Sequence, residues 1–349
     1  MARDISFNVR NNNGDPLRVG AWHFDGSGEG PTVHLQAGVH ADEIAGMLVL
    51  HRLMPMLQQA QDAGRLKGSV TLVPQANPLG IGQFRQGRIL GRFHDATGHN
   101  FNRGFDQSAA TEGPGSVVQH WQKSLVQLAA SADIVLDLHT DDEALPYLYV
   151  HRSFWPRGRE LAAAMRMDVA IIWDEGGDGS FEETVIAPWL RAGVNSRQMA
   201  ATLELRGQGD VSDRYAEQDA NGLYAWLCAC GVIDEAQLAA DWPVQVLEMG
   251  QMETILAPQP GVFKASTVFF PNVAAMRTRE WMDKSAYTYG LHGTPTTFTL
   301  EERLATLEGG RQCVLVPSGL AALATVALAM LQTGDELLIP DNAYGPNKA

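Results

Sequence analysis

Two histidines and one glutamate stand where apolar runs give way to turns, and they have the ligand types of a catalytic zinc site. His40 and Glu43 follow the run Thr32–Ala37, and His139 follows the run 133–138. Imidazole nitrogen and carboxylate oxygen bind Zn²⁺ at about 2.0–2.2 Å, and two histidines with one carboxylate leave a fourth position open. The three residues are therefore predicted to bind a metal. Taken singly, each also fits a surface turn or a hydrogen-bonded core position.

A carboxylate lies in an otherwise apolar strand. It could meet a second requirement of catalysis at a metal site, a general base that takes a proton from water. Glu204 lies near the end of the run 199–205, where burying a charge is costly unless it is paired or functional. A carboxylate beside a metal can accept a proton from water whose pKa the metal lowers to about 7. We predict that Glu204 is the general base; the alternative is a simple ion pair with Arg206.

Arginines are concentrated in a long segment of weak periodicity, residues 77–105. They are Arg85, Arg88, Arg92 and Arg103. In a chain whose formal net charge is −14, this cluster favours a carboxylate-binding site, because one guanidinium can bind both oxygens. Asn102 adds a side-chain amide beside Arg103. The alternative is a solvated basic loop whose arginines pair with nearby acids.

The elements that must position these residues alternate between strand and helix, which predicts an α/β sheet covered on both faces. The predicted strands are 32–37, 69–74, 133–138, 147–150 and 199–205. The predicted helices are 42–55, 116–131 and 181–191, and Pro55 is expected to stop or kink the first. Ligands in such sheets lie beyond the carboxyl ends of the strands, where His139 and Glu204 are placed.

Length and composition restrict the class of protein. A chain of 349 residues with 45% hydrophobic and 19% charged residues has the balance of a folded protein of about two domains. The acidic net charge argues against nucleic-acid binding, which needs surplus Lys and Arg. No signal core opens the chain, and Pro317 interrupts its most apolar run, so no membrane span is expected. We expect a cytoplasmic protein with a small-molecule anionic substrate and reduced cysteines; a homo-oligomer is left open.

Five motifs in order carry a resemblance to the succinylglutamate desuccinylase/aspartoacylase family, which is itself similar to the zinc carboxypeptidases. They are GVHADE (38–43), NPLG (77–80), NFNRGF (100–105), DLHT (137–140) and TLELRG (202–207). The resemblance covers about residues 5–258. It implies a zinc-carboxypeptidase-like mixed sheet with helices on both faces, and a hydrolase that cleaves an amide or ester bond of a substrate such as an N-acyl amino acid.

The same resemblance implies roles for individual residues. His40, Glu43 and His139 would bind zinc, and Glu204 would be the general base. Asn102 and Arg103 would bind a substrate carboxylate. One of two loop arginines, Arg88 or Arg92, would polarise the scissile carbonyl and stabilise the oxyanion. The small β-rich domain that follows the catalytic domain in this family is not apparent here beyond residues 254–263.

Residues from about 262 onward resemble the N-terminal part of cystathionine β-lyase and related pyridoxal phosphate (PLP) enzymes of Cys/Met metabolism. The matching stretches are KASTVFFPNVAAM, YTYGLHGTPTTF, LEGGRQCVLVPSGLAA and LLIPDNAYGPNK. The resemblance implies an incomplete α/β fragment of an aspartate-aminotransferase-like fold. Its vestigial cofactor contacts would be Tyr289, Gly319, Leu320 and Tyr344. The predicted domains are residues 1–255 and 264–349, with a junction at 256–263.

Two alternatives to a hydrolase follow from this composite chain. A PLP-dependent carbon–sulfur lyase would need a Schiff-base lysine, which in this family lies well over a hundred residues past the segment around Tyr344. We therefore expect no PLP chemistry from the C-terminal segment, and instead unpaired strand edges and an uncovered apolar helix. A non-catalytic fusion that binds carboxylates without turnover is the other alternative.

Overall fold

Among the residues that the structure describes, nine strands form one mixed sheet in the order β1-β4-β6-β5-β9-β12-β10-β11-β13, and two hairpins, β2–β3 and β7–β8, lie outside it. The strands are β1 (Arg3–Asp4), β2 (Phe7–Arg10), β3 (Pro16–Val19), β4 (Trp22–Phe24), β5 (Thr32–Ala37), β6 (Ser69–Val73), β7 (Phe84–Arg85), β8 (Arg88–Ile89), β9 (Ile134–Asp141), β10 (Tyr147–His151), β11 (Val169–Trp173), β12 (Met199–Gly207) and β13 (Gln245–Glu248). The central strands β6, β5, β9 and β12 are parallel.

The structure is a computed structural model that describes residues 2–11, 13–85, 88–111, 115–177, 179–236, 241–251, 295–332 and 335–336. The chain divides into two compact units, Met1–Arg277 and Thr278–Ala349. The predicted junction at 256–263 lies outside the described residues.

The helices of the first unit are α1 (Ile44–Asp62), α2 (Pro78–Ile81), α3 (Phe105–Ala110), α4 (Val117–Ala129), α5 (Trp155–Ala164), α6 (Phe181–Ala192) and α7 (Asp213–Ala229), with 3₁₀ turns at Arg152–Phe154 and Met249–Gln251. They cover both faces of the sheet. Gly46 of α1 packs against Leu138 on β9, whereas Glu182 of α6 contacts Thr202, the register partner of Asp137. Because successive strand residues point to opposite faces, α1 and α6 lie on opposite sides.

The central strands are buried almost throughout, as expected for parallel strands between two layers of helices. Their carboxyl ends meet at one edge, because β5 pairs with β9 and β9 pairs with β12. In this register Gln36 lies beside Asp137, and His139 lies beside Glu204. The sheet therefore brings the segments after β5 and the ends of β9 and β12 to one place.

The predicted end of the first helix at Pro55 is wrong, since α1 continues to Asp62. Pro55 faces solvent, while Leu53 and Leu57 on either side of it are fully buried. Burial of this apolar stripe outweighs the one backbone hydrogen bond that proline removes. The segment 77–105 is also more ordered than predicted, since it contains α2 and the hairpin β7–β8.

The second unit contains α8 (Pro295–Glu308) and α9 (Gly319–Met330) among its described residues. The apolar run 313–316 between them forms no strand. Several apolar side chains of α9 are exposed, Leu328 by 85% and Met330 by 75%. The expected uncovered apolar helix is present.

Over the described part of the chain, none of the helices is both long enough and apolar enough to span a bilayer.

Candidate active site

His40, Glu43 and His139 meet at the carboxyl edge of the sheet, and all three are buried. His40 and Glu43 lie in the turn between β5 and α1, and His139 lies within the last residues of β9. Glu43 stands between the two rings: its Oε1 is 2.8 Å from Nδ1 of His40, and its Oε2 is 2.8 Å from Nδ1 of His139. One ligand atom from each residue lies within 4.8 Å of the other two. This arrangement is the cluster that the spacing predicted.

The outer nitrogen of each ring is held by a hydrogen-bond acceptor. Nε2 of His139 lies 2.9 Å from Oδ2 of Asp137, and Nε2 of His40 lies 2.9 Å from Oδ1 of Asn100. That amide oxygen also accepts the backbone N–H of Asn102 at 2.9 Å, which supports its assignment as the oxygen. With a proton on Nε2 to meet these oxygens, each ring directs Nδ1 at the shared carboxylate of Glu43.

Two imidazole nitrogens and a carboxylate thus converge. Their lone pairs and negative charge repel one another, so the arrangement is favourable when a cation lies among them. A proton can fill this role: burial by itself lowers the pKa of His139, but the charges of Asp137 and Glu43 raise it well above its usual range. Zn²⁺ takes the same donor set of two nitrogens and one oxygen. The residues present therefore fit a catalytic zinc ion.

Two further donors orient the carboxylate of Glu43. The backbone N–H of Thr140 donates to Oε2 at 3.1 Å, and Nη2 of Arg92 donates to Oε1 at 3.0 Å. Burial raises the pKa of Glu43, but the imidazoles of His139 and His40 outweigh burial and keep this pKa below its usual range. Glu43 is consequently ionised, with two donors and two imidazole nitrogens within hydrogen-bond distance of its carboxylate.

Arg92 reaches the cluster because its loop lies directly on the turn after β5. The backbone N–H of Ala41 donates to the carbonyl of Gly91 at 3.0 Å, and that of Phe101 donates to the carbonyl of Arg92 at 3.0 Å. A Cβ on residue 91 would lie 2.0 Å from the backbone nitrogen of Asp42. Only glycine permits this approach.

The cluster opens into a cavity of about 500 Å³ that Glu204 also lines. Within the described residues, Oε2 of Glu204 is buried and has no hydrogen-bond partner. Burial raises the pKa of Glu204 above its usual range; the charge of His139 opposes this effect and that of Glu43 adds to it. A carboxyl group of this kind can accept a proton and return it.

Asn102 and Arg103 line the same cavity. Oδ1 of Asn102 accepts the backbone N–H of Phe181 at 3.0 Å, so its NH₂ group is the part that can donate to a ligand. Nη1 of Arg103 donates to the carbonyl of Asn102 at 2.7 Å. The cavity therefore contains an amide and a guanidinium, the two donor types predicted for a carboxylate site.

Residues 29–229 match the family model described as the succinylglutamate desuccinylase/aspartoacylase catalytic domain. The chain belongs to the succinylglutamate desuccinylase/aspartoacylase family. The match contains the His40–Glu43–His139 cluster and Glu204, and it assigns this unit to a family of hydrolases. The resemblance carried by the five sequence motifs is confirmed.

Solved structures of desuccinylase/aspartoacylase family proteins share this fold. One from Shewanella amazonensis is 26% identical with a TM-score of 0.66, over 76% of this chain and 82% of its own. Another from Shewanella frigidimarina is 27% identical with a TM-score of 0.65, over 76% of this chain and 83% of its own. They confirm the predicted mixed α/β sheet.

The C-terminal resemblance is confirmed as well, since residues 245–349 match the model for Cys/Met metabolism PLP-dependent enzymes. A candidate cystathionine beta-lyase from Rhizobium johnstonii is 48% identical over 89 residues, which are 26% of this chain and 22% of that protein. The chain spans about a quarter of the length of the curated relatives that it matches.

The structure places most of the predicted site residues together. The cluster and its cavity contain His40, Glu43, Arg92, Asn102, Arg103, His139 and Glu204. Arg88 lies on β8, where its backbone alone is described. In the second unit, Gly319 and Leu320 form the first turn of α9 after the cap Ser318, and Tyr289 and Tyr344 lie outside the described residues.

Three residues with a place in this site were not singled out from the sequence. Asp137 stands two positions before His139 in DLHT, a spacing that puts both side chains on one face of a strand. Asn100 lies in the NFNRGF motif beside the predicted Asn102. Glu182 gave no signal, because an acidic residue in the first turn of a helix is ordinary.

Proposed function

We propose that the desuccinylase/aspartoacylase unit is a zinc-dependent hydrolase that cleaves an amide or ester bond of a carboxylate-bearing substrate, such as an N-acyl amino acid. The observation that carries this proposal is the meeting of His40, Glu43 and His139 at the same cavity as Glu204 and Arg103. Such a hydrolysis needs a set of metal ligands, a general base and a guanidinium in one cavity. Here the base is Glu204, a carboxyl group whose Oε2 has no hydrogen-bond partner among the described residues.

His40 and His139 would hold zinc through Nδ1, and Glu43 through its carboxylate. Zinc held there would polarise a substrate carbonyl and lower the pKa of water. The hydrogen bonds from Nε2 of each ring to Asn100 and Asp137 keep both rings in the orientation that this requires.

Glu204 would act as the general base and then as the general acid. Glu204 lines the cavity and its Oε2 has no partner in the described structure, which supports a role as the acceptor of a proton from water. Its raised pKa suits the return of that proton to the leaving nitrogen, because a proton held near neutral pH can move in both directions.

Arg103 and the NH₂ group of Asn102 would bind the substrate carboxylate and so fix which bond faces the cluster. Arg92, whose guanidinium already lies 3.0 Å from Glu43, would stabilise negative charge that develops on the carbonyl oxygen. Arg92 thus lies beside the metal-ligand set, and Asn102 and Arg103 line the same cavity.

Elemental analysis combined with a hydrolysis screen tests the proposal. The full chain is assayed on N-acetyl and N-succinyl amino acids as purified, after chelation, and after zinc is returned. We expect roughly one zinc per chain, loss of hydrolysis on chelation and recovery with zinc. Absence of metal together with no hydrolysis on addition of zinc would refute the proposal. Bound zinc with no turnover on any substrate would favour the non-catalytic carboxylate-binding alternative.

A further inference from the structure

Glu182 is a buried carboxyl group that the proposed reaction does not use. It lies in the first turn of α6, 5% exposed, and faces the sheet. Oγ1 of Thr202 donates to its Oε2 at 2.6 Å. Its Oε1 is buried and has no hydrogen-bond partner among the residues that the structure describes. An unsatisfied buried carboxyl oxygen is costly, so a partner for it is expected.

Asp137 also has a carboxylate oxygen without a hydrogen-bond partner among the described residues. Its Oδ2 accepts from Nε2 of His139, whereas its Oδ1 is buried and unpartnered within the described chain. Asp137 and Thr202 are register partners on the parallel strands β9 and β12, so their side chains stand side by side on one face, about 5 Å apart. The hydrogen bond from Thr202 therefore brings the carboxyl of Glu182 to the side of the sheet that carries Asp137.

Two ionised carboxylates cannot share this buried position at low cost. Burial raises the pKa of Glu182 to about 8; the hydrogen bond from Thr202 opposes burial, the charges of Asp137 and Glu183 add to it, and His139 opposes it. One proton on Glu182 changes an acceptor into a donor and satisfies both unpartnered oxygens at once.

We propose that Glu182 is a positioning residue that donates from Oε1–H to Oδ1 of Asp137, directly or through one water, and thereby fixes the carboxylate that orients His139. The importance of His139 rests on the proposed zinc site. With both oxygens engaged, Asp137 cannot rotate away from the imidazole. Loss of this donor frees the carboxylate and weakens the restraint on the ring.

A rival role is a subsite for a cationic group of the substrate, because Glu182 also lines the cavity. The two roles require different charges on Glu182. A neutral donor is replaced well by glutamine, whose NH₂ group can donate to Asp137 while its oxygen accepts from Thr202. A cation-binding carboxylate is not replaced by glutamine.

Zinc affinity of the full chain, measured by competition with a chelator, tests the proposal without reference to hydrolysis. Glu182→Met, which keeps the length but has no donor, should lower the affinity about 10- to 100-fold. Glu182→Gln should stay within about threefold of wild type. Thr202→Val, which removes the hydroxyl that seats Glu182, should lower the affinity in the same direction, and thermal melts show that each variant is folded.

A double-mutant cycle shows whether the effect passes through Asp137. In an Asp137→Asn background, Glu182→Met should cause no further loss of zinc affinity. Additive losses would overturn the proposal, as would an unchanged affinity in folded Glu182→Met. A normal zinc affinity with an equally raised KM in the Gln and Met variants would establish the cation subsite instead. If the wild-type chain failed to bind zinc, the zinc site itself would be refuted. That result differs from the outcomes above, because each of them compares a variant with a wild-type chain that binds zinc.

Discussion

Asp137 accepts a 2.9 Å hydrogen bond on Oδ2 from Nε2 of His139, two residues later on the same strand. The two side chains share one face of β9, so the carboxylate holds the ring from the side opposite Glu43. This bond sets the tautomer of the ring and directs Nδ1 toward the cluster. His139 thus owes its orientation to a residue that would not touch the metal.

Replacing Asp137 with Asn should lower the affinity for zinc about 10- to 100-fold, because the ring loses a charged hydrogen-bond acceptor. Chelator competition measures this loss. Asp133→Asn is the matched control, since that carboxylate bonds Thr32 at the amino end of β9, away from the cluster. Equal affinities in wild type and Asp137→Asn would contradict the prediction.

Glu204→Gln should retain zinc and lower kcat by about 10²- to 10⁴-fold, because an amide keeps the shape of the side chain but cannot accept the proton. Zinc content and turnover are measured on the same preparation. The exposed Glu160→Gln serves as the control and should keep full activity. Unchanged turnover in Glu204→Gln would exclude Glu204 as the base.

Arg103→Met should raise KM about 10- to 100-fold, because the substrate carboxylate loses charge-assisted hydrogen bonds worth about 1.5–3 kcal/mol. Steady-state kinetics on an N-acyl amino acid measure this effect. Arg191→Met, at an exposed arginine in the last turn of α6, is the control. If KM rose for neither variant, the carboxylate would be bound elsewhere.

The stability of the protein should depend on pH through Glu182. Its pKa is about 8 in the folded protein because of burial, against an ordinary value of 4.5. The folded protein holds a proton that the unfolded chain has released, so the free energy of unfolding declines as the pH rises from about 4.5 to about 8. The Glu182→Gln variant has an amide that does not titrate in this range, so it should not show this part of the decline.

Urea denaturation between about pH 5 and pH 8 tests this dependence. Relative to wild type, Glu182→Gln should gain stability with rising pH, by a few kcal/mol at most. Parallel stability profiles for the two proteins would show that Glu182 does not titrate in this window.

The exposed apolar side chains of α9 should promote self-association of the full chain. Leu328→Lys, at a side chain that is 85% exposed, should reduce concentration-dependent association in sedimentation velocity. Gln332→Lys adds the same charge at an exposed polar position and is the control. Equal association in all three proteins would show that α9 is not the contact surface.

The amino-acid sequence by itself determined five strand segments, those of β5, β6, β9, β10 and β12, together with the composite nature of the chain and the candidate ligands. Apolar runs of strand length place His139 and Glu204 near strand ends, and local patterns of this kind need no knowledge of distant contacts. The end of α1 was misjudged at Pro55 because local propensity was overridden by burial of Leu53 and Leu57.

Only the tertiary structure decided which atoms meet. Glu43 and His139 are 96 residues apart, and their 2.8 Å contact exists because β5 and β9 are neighbours in the sheet. The burial of Glu182 beside Thr202 depends in turn on the packing of α6 against β12. Residue types are properties of the chain, whereas burial, the direction of a ring nitrogen and the pKa of a carboxyl group arise from neighbours that are distant in sequence.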